Sequence, residues 1–208
     1  MNALNSTVHQ PQPRRAVLAA LGGGVLALGG WGRVTSVSAQ SLPAQSKAAL
    51  LSLWRREGGV LLMRHAATEQ GLGDPPGFVM GQCHTQRNLS AAGRQASRDL
   101  GLWMRAQSFQ PDAVRSSQWC RCQDTAQLAF GQYEDWPALN STFAGQGDAA
   151  AQLQALRERL QGMHHGQTEV WVTHQVIMTG LTGAYPGIGE GFWVDRQGRL
   201  RLRAELAT

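Results

Sequence analysis

The sequence predicts an α/β fold, a three-layer α/β/α sandwich with a mostly parallel central sheet and a C-terminal edge hairpin. Strand-like segments of four or five residues recur at 60–63, 113–117 and 169–173, and such short runs are typical of strands buried on both faces. Amphipathic helical segments separate them, which is the pattern of right-handed βαβ units. A stretch of alternating polarity follows the last helix and predicts the hairpin.

Size and charge limit the class of protein. The 208 residues suffice for one domain with a full hydrophobic core. The net charge is +5, but residues 40–208 carry 16 basic and 14 acidic groups, a net charge of only +2. No Lys- or Arg-rich run is present, so we expect no nucleic-acid partner.

The N-terminus has the pattern of an export signal. Arg14-Arg15 precedes the 16-residue apolar segment AVLAALGGGVLALGGW, and the small-x-small site Val37-Ser38-Ala39 follows. This predicts a twin-arginine-like signal peptide at 1–39 and a periplasmic or secreted mature protein. A membrane span needs about 20 strongly apolar residues, so we expect no stable membrane insertion after cleavage. The alternative is an uncleaved anchor.

The first half of the mature chain alternates loops and helices around two strands. Residues 40–57 predict a linker and a short helix, which Gly58-Gly59 ends, and the domain proper is predicted at 58–208. VLLM at 60–63 predicts a buried strand, and the Gly/Pro-rich stretch 70–88 a long loop. Ser90 predicts the N-cap of a helix that reaches about residue 108.

The second half repeats this alternation. A helix is predicted at 121–130 after the second strand, and a further strand at 137–143. Asp148 predicts the cap of the next helix, whose apolar residues recur at helical spacing. The strand at 169–173 then leads into the helix QVIMTGLTG, and EGFWVDRQGRLRLRAEL predicts the hairpin around Gln197-Gly198.

Three cysteines bear on the compartment. In an oxidising compartment a disulfide is favoured, and we take Cys83–Cys120 as the pair, with Cys83–Cys122 as the alternative. Cys-x-Cys is poorly placed to bridge to itself. Three free thiols, or a metal site that includes Cys83-His84, are the other interpretations.

Polar residues follow each of the three predicted buried strands. Arg64-His65 ends the first, Ser116-Ser117 the second with Arg121 shortly after, and His174 follows the third. Ligands of open α/β sheets bind at the carboxyl ends of the strands. If these strands are parallel neighbours, two arginines and two histidines converge on one crevice.

That set of side chains suits a phosphoryl group. Arginine presents a fork of donors that matches phosphate oxygens. One protonated histidine would add positive charge, while the other, neutral, would attack phosphorus through its lone pair. Metal is not needed in this scheme, because the arginines supply the positive charge.

Four motifs occur at these predicted boundaries, namely LLMRHAAT at 61–68, NLSAAGRQA at 88–96, VRSSQWCRCQDTA at 114–126 and VWVTHQ at 170–175. In this order they resemble the histidine phosphatase superfamily, the phosphoglycerate mutase-like group, over roughly residues 58–205. The resemblance implies that the chain is an exported bacterial member whose nucleophile, His65, becomes phosphohistidine. It also implies that Arg64, Arg121 and His174 form the phosphate pocket.

The motifs do not identify the proton donor. Many members of the family have Glu where this chain has Ala67, and the family's donor is variable. Its usual position, between the second Arg motif and the strand-end His, offers Glu134, Asp135 and Asp148, the last of which also suits a helix cap. Glu190, which lies between two glycines after the last helix, is our candidate acid.

The sequence therefore predicts a metal-independent histidine acid-type phosphatase that hydrolyses a phosphorylated small molecule and needs no cofactor. A non-catalytic phospho-ligand-binding protein of the same fold is the alternative. A phosphoglycerate mutase is disfavoured, because export would separate it from its cytoplasmic substrates. The substrate and the oligomeric state are not predicted, although phosphorylated sugars of the cell envelope are one option for the substrate.

Overall fold

The computed structural model describes residues 44–45, 47–187 and 189–206. The predicted export signal at 1–39 lies outside these residues. No helix within the described part of the chain has the length and apolar character needed to span a membrane.

A seven-stranded sheet forms the centre of the domain, in the order β1-β7-β6-β2-β5-β3-β4. The strands are β1 (Ala44–Gln45), β2 (Gly59–Arg64), β3 (Ala113–Ser116), β4 (Glu134–Asp135), β5 (Thr168–Thr173), β6 (Glu190–Val194) and β7 (Leu200–Glu205). Strands β2, β5, β3 and β4 are mutually parallel, and β6 is antiparallel to both β2 and β7. This confirms the predicted mostly parallel sheet with a C-terminal hairpin, beyond which β1 pairs with β7.

Within the described residues five α-helices cover the sheet, α1 (Lys47–Glu57), α2 (Ala91–Ala106), α3 (Cys120–Phe130), α4 (Ala149–Gln161) and α5 (Gln175–Thr182). Short 3₁₀ turns occupy Cys83–Thr85, Pro137–Leu139 and Phe143–Gly145. The strand predicted at 137–143 is therefore wrong. Pro137 opens a 3₁₀ turn, because proline lacks the N–H that a strand ladder requires, and the strand forms earlier as β4.

The period of two along each strand divides the core into two layers. Leu61 and Met63 of β2 face one side, where the core residues of α1, α2 and α3 lie. Val60 and Leu62 face the other side, with the core residues of α4 and α5. Successive side chains of a strand point to opposite faces, so a continuous apolar run buries both faces. This arrangement gives the three predicted layers.

The pairing register of β2, β5 and β3 places the C-terminal ends of these three parallel strands at the same edge of the sheet. Arg64 pairs with Thr173 across β2 and β5, and Ser116 pairs with Val172 across β3 and β5. The ladders continue one residue further on each side, since the His65 N–H donates to Thr173 O at 2.9 Å and the Ser117 N–H to Val172 O at 2.9 Å. The polar residues that follow the strands therefore emerge side by side.

Candidate active site

The His65 ring is fixed in one tautomer. Its Nδ1 lies 2.9 Å from the carbonyl oxygen of Ala66, and because a carbonyl only accepts, Nδ1 carries the hydrogen and donates. The lone pair is therefore on Nε2. Burial, followed by the positive charges of Arg121, Arg64 and Arg87, lowers the pKa of His65 to about 3. The imidazole is neutral at physiological pH and can act as a nucleophile.

His174 lies beside His65, with 5.4 Å between the ring centroids. Its Nε2 is 2.9 Å from Ser117 Oγ and 3.5 Å from Cys122 Sγ. Burial, His65 and the neighbouring arginines hold the pKa of His174 well below its usual value. Burial is the largest cause and the guanidinium groups add to it, so these surroundings favour a neutral His174.

The guanidinium groups present free donors. The Arg121 side chain is 4% exposed, and its Nη1 donates to Asp74 Oδ1 at 2.7 Å. Its Nε is buried without a hydrogen-bond partner among the described residues. Within the same residues, Arg64 has no ion pair with a carboxylate. A buried donor without a hydrogen-bond partner lowers the stability of the fold. An anionic ligand would supply the missing acceptors, so these guanidinium groups are suited to bind one.

Two further charged residues of the site, Asp74 and Arg87, come from the long loop between β2 and α2. Asp74 accepts from Trp119 Nε1 at 2.9 Å and from the Arg87 N–H at 3.0 Å. Arg87 Nε donates to Gly73 O at 2.7 Å, which holds this third guanidinium in the loop. The sequence prediction missed Asp74, whose only signal was its place in an unusually long loop.

All four predicted site residues line one cavity of about 250 Å³, together with Asp74 and Arg87. Arg64 and His65 lie at the end of β2, and His174 at the end of β5. Arg121 reaches the cavity from the first turn of α3. The structure thus brings together Arg64, His65, Arg121 and His174 from three separate strand–helix junctions.

The structure does not support Glu190 as the proton donor. Its carboxylate accepts from Arg203 Nη2 at 2.5 Å and from the Gly187 N–H at 2.6 Å, and it does not line the His65 cavity. Glu190 begins β6, one residue before the Gly191–Met63 pair, and so lies near the end of β2. Arg203 of β7, two residues before Glu205, the register partner of Glu190, holds the Glu190 carboxylate outside the cavity.

The other carboxylates considered also have structural roles. Glu134 pairs with Arg115, Asp135 accepts from Gln123, and Asp148 caps α4 by accepting from the Ala151 N–H. None of the three lines the His65 cavity. Asp74 is the only carboxylate on the cavity wall among the described residues.

The cysteines stabilise this region. Cys83 and Cys120 form a disulfide that joins the long loop to the first residue of α3, next to Arg121. Cys122 is free and buried, and burial raises the pKa of its thiol to about 12, so it is an unreactive thiol. Within the described residues, no group of three His, Cys, Asp or Glu side chains could hold a metal ion.

One family model matches part of the chain. Residues 60–146 match the family model of the histidine phosphatase superfamily (branch 1). This segment contains Arg64, His65 and Arg121 and ends before His174. No curated protein shows a significant match.

The solved structures that match this chain are distant from it in sequence. A protein of Escherichia coli K-12 described as a putative α-ribazole-5′-phosphate phosphatase has a TM-score of 0.50 at 17% identity, covering 73% of this chain and 98% of its own. The protein histidine phosphatase SixA, complexed with tungstate, has a TM-score of 0.47 at 17% identity, covering 71% and 96%. TTHB049 from Thermus thermophilus has a TM-score of 0.49 at 18% identity, covering 70% and 98%.

Such low identities show a shared fold and do not transfer a substrate. The first of these structures shows the fold alone. The family-model match over residues 60–146, together with the four ordered motifs, supports membership of the histidine phosphatase superfamily.

Proposed function

We propose that the protein is a phosphomonoesterase that hydrolyses a phosphorylated small molecule through a phosphohistidine intermediate on His65. The observation that carries this proposal is the pairing of a neutral nucleophile with unpartnered cationic donors. His65 Nε2 has a free lone pair, and Arg64 and the buried Arg121 Nε line the same cavity without acceptors for those donors among the described residues.

Phosphoryl oxygens supply the acceptors that this cavity lacks. A phosphate monoester carries a charge between −1 and −2 near neutral pH, and arginine donates to such oxygens in pairs. The anion would also offset the field of the three arginines, so the pKa of His174 would rise on binding. His174 could then donate to the phosphoryl group, which is the role that the sequence assigned to a protonated histidine.

Hydrolysis would take two displacements. In the first, the Nε2 lone pair forms a bond to phosphorus while the ester P–O bond breaks, and the leaving oxygen takes the proton of the monoanionic phosphate ester and departs as the alcohol. In the second, water attacks phosphorus, the N–P bond breaks, and its electron pair returns to His65. The arginines stabilise the charge on the phosphoryl oxygens in both transition states.

The test is phosphate release from p-nitrophenyl phosphate in the presence of a chelator. We expect turnover by the wild-type protein, and an acid-labile phosphoprotein after rapid quenching that is lost in His65→Ala. The exposed His164, replaced by alanine, is the matched control and should keep full activity. Absence of turnover across a panel of phosphate esters, or equal turnover by His65→Ala, would refute the proposal.

One observation favours a non-catalytic phospho-ligand-binding protein as the second candidate. Asp74, the only carboxylate on the cavity wall within the described part of the chain, is engaged by Arg121 and so is no free acid in the empty pocket. Tight phosphate binding by calorimetry, without turnover and without a trapped phosphoprotein, would support this candidate.

We further propose that the mature protein works in the periplasm or outside the cell. The Cys83–Cys120 disulfide supports this, because structural disulfides persist in oxidising compartments. Cell fractionation followed by N-terminal sequencing tests it. A mature protein that begins at residue 40 is expected, and a cytoplasmic, unprocessed protein would contradict it.

A further inference from the structure

Apolar side chains surround the mouth of the His65 cavity. They come from separate segments of the chain, namely Leu72 and Phe78 from the β2–α2 loop, Phe143 from the 3₁₀ turn before α4, Val176 from α5 and Tyr185 from the segment after α5. Six large hydrophobic side chains are exposed within the described residues, and three of them, Leu72, Phe143 and Tyr185, line this one cavity. Clustered exposed apolar residues mark binding surfaces more often than scattered ones.

The turn that carries Phe143 has an unusual backbone. Ala144 adopts φ 58° and ψ 32°, a left-handed conformation that is rare for a residue with a side chain. Such conformations persist where the surrounding structure requires them and are frequent at functional sites. Here the turn presents Phe143 next to Gly73, where its ring lies 3.3 Å from the position of an added Cβ. Phe143 thus packs against the loop that carries Asp74.

Polar groups that could bind sugar hydroxyls are scarce at this mouth. Apart from the two histidines and the Tyr185 hydroxyl, the uncharged polar residues of the lining are Ser141, Gln146 and Gln175. Two of them already make hydrogen bonds within the protein, since Ser141 Oγ accepts from the Phe143 N–H and Gln175 Nε2 donates to Thr179. A polyhydroxylated leaving group would therefore lose hydrogen bonds to water on entry.

We propose that the substrate is a phosphate monoester of an aromatic or compact apolar alcohol, a proposal that rests on the phosphomonoesterase function. The phosphoryl group would lie between Arg64, Arg121 and His65, and the carbon skeleton against Phe143 and Tyr185. A cavity of about 250 Å³ is at the small end for ligand sites, which favours a group about the size of one ring.

Benzyl phosphate and glycerol 3-phosphate form a suitable pair, because both are esters of primary alcohols. We expect kcat/KM for benzyl phosphate to be at least about tenfold higher, as burial of part of one ring predicts. Phe143→Ala and Tyr185→Ala should lower kcat/KM for benzyl phosphate, mainly through KM, and lower kcat/KM for glycerol 3-phosphate by a much smaller factor. Leu102→Ala, which removes an exposed apolar side chain elsewhere, is the control.

Three results would distinguish failure of the apolar substrate class from failure of the phosphatase function. No turnover of either ester, with none of p-nitrophenyl phosphate, counts against the phosphatase. Turnover with equal or greater efficiency for glycerol 3-phosphate overturns only the apolar substrate class. An equal loss for both esters in Phe143→Ala would also overturn it, because it would indicate damage to the phosphoryl site.

The position of Asp74 supports a second inference. Its side chain is 6% exposed and lies on the wall of the cavity that holds His65. Burial alone would raise the pKa of Asp74, but hydrogen bonds from Arg121, the Arg87 backbone and Trp119 outweigh it and hold the pKa below its usual range. With these partners Asp74 is a carboxylate.

A bound phosphoryl group changes these surroundings. Its oxygens compete with Asp74 for the donors of Arg121, and its charge repels the carboxylate. Loss of a cationic partner and approach of an anion both raise the pKa of a carboxyl group. Asp74 would then accept a proton from the monoanionic form of the substrate, whose second pKa is about 6.

From this geometry we infer that Asp74 is the catalytic acid that protonates the leaving alcohol. As the His65 Nε2–P bond forms and the ester P–O bond breaks, the departing oxygen takes the proton from Asp74. In the second step, water attacks phosphorus and gives its proton to the Asp74 carboxylate. The N–P electron pair returns to His65, and phosphate leaves.

Asp74→Asn tests this role, because the amide has the shape of the carboxyl group but no acidic proton. We expect a loss of about 10²–10⁴-fold in kcat for benzyl phosphate and a much smaller loss for p-nitrophenyl phosphate, whose leaving group needs no acid. Asp74→Glu should retain part of the activity on benzyl phosphate. Phosphate binding by each variant, measured by calorimetry, checks that the pocket is intact.

Equal losses on the two esters would overturn the inference and make Asp74 a positioning residue for Arg121. Unchanged activity on both would also overturn it. Neither result would affect the phosphatase function, which p-nitrophenyl phosphate and His65→Ala test separately.

Discussion

Replacement of Gly93 by alanine should damage both the fold and the site. Gly93 lies in the first turn of α2, against the chain that leaves His65. A Cβ on Gly93 would lie 2.0 Å from the carbonyl oxygen of Ala67, where ordinary contacts begin at 3.4 Å. Because the obstacle is backbone, no side-chain rotation relieves the clash. The same carbonyl accepts a hydrogen bond from the Ser90 N–H at 3.0 Å, so it is held on two sides.

The loss of stability expected for Gly93→Ala follows from this close contact. The helix and the Ala67 carbonyl must separate by more than about 1 Å, and overpacking of this kind costs about 1–3 kcal/mol. Loss of the hydrogen bond from Ser90 adds about 1 kcal/mol, so we expect Gly93→Ala to lower the free energy of unfolding by about 2–4 kcal/mol. Ala67 is two residues after His65, and a displacement of about 1 Å at a site can lower activity about 100-fold.

Urea unfolding and kcat/KM on p-nitrophenyl phosphate measure the two effects. Gly162→Ala is the matched control, since its Cβ would lie 3.4 Å from the nearest carbonyl, that of Glu158, and we expect a change within about 0.5 kcal/mol. If Gly93→Ala matched this control in both stability and activity, the close approach of α2 to Ala67 would not be needed to hold the site.

Three further predictions concern charge and cross-linking. Because the pKa of His65 is lowered to about 3 in the folded protein, the unfolded chain binds an extra proton between about pH 6.5 and 3. Stability in urea should therefore fall as the pH falls through this range. An equally steep fall in His65→Gln would contradict the lowered pKa of His65 as its cause. Reduction of Cys83–Cys120, which are 37 residues apart, should lower the free energy of unfolding by about 4 kcal/mol and reduce activity, and an unchanged thermal midpoint in dithiothreitol would contradict this. Glu190→Gln should cost about 1–3 kcal/mol through its pair with Arg203 but leave kcat/KM unchanged, and a loss of turnover would return Glu190 to the candidate acids.

Local sequence patterns were sufficient to predict the strand ends and the residues of the proposed phosphate pocket that follow them. Arg64-His65 and His174 directly follow buried strands, and the parallel register of β2 and β5 then brings them together. Such residues are predictable because their positions depend on one strand end each. Arg121 needed only the additional expectation of a helix after β3.

Predictions failed where a position depends on contacts distant in sequence. Glu190 follows a helix and looked accessible, but β7 places Arg203 against it. Asp74 lies in a loop without periodicity, and its role appears only once the loop folds over Arg121 and Trp119. Pro137 lies in a segment with strand-like composition but opens a 3₁₀ turn.

The sequence by itself determined the α/β class, the order of strands and helices, and the identity of the residues at the strand ends. These depend on hydrophobic periodicity and capping, which act over a few neighbouring residues. Only the tertiary structure decided which carboxylate reaches the cavity, which cysteines pair, and the neutral state of both histidines. The state of the histidines depends on desolvation and on the fields of Arg64, Arg87 and Arg121 acting together. The other two properties depend on which distant segments the fold brings together, and no local pattern contains the distances that set any of them.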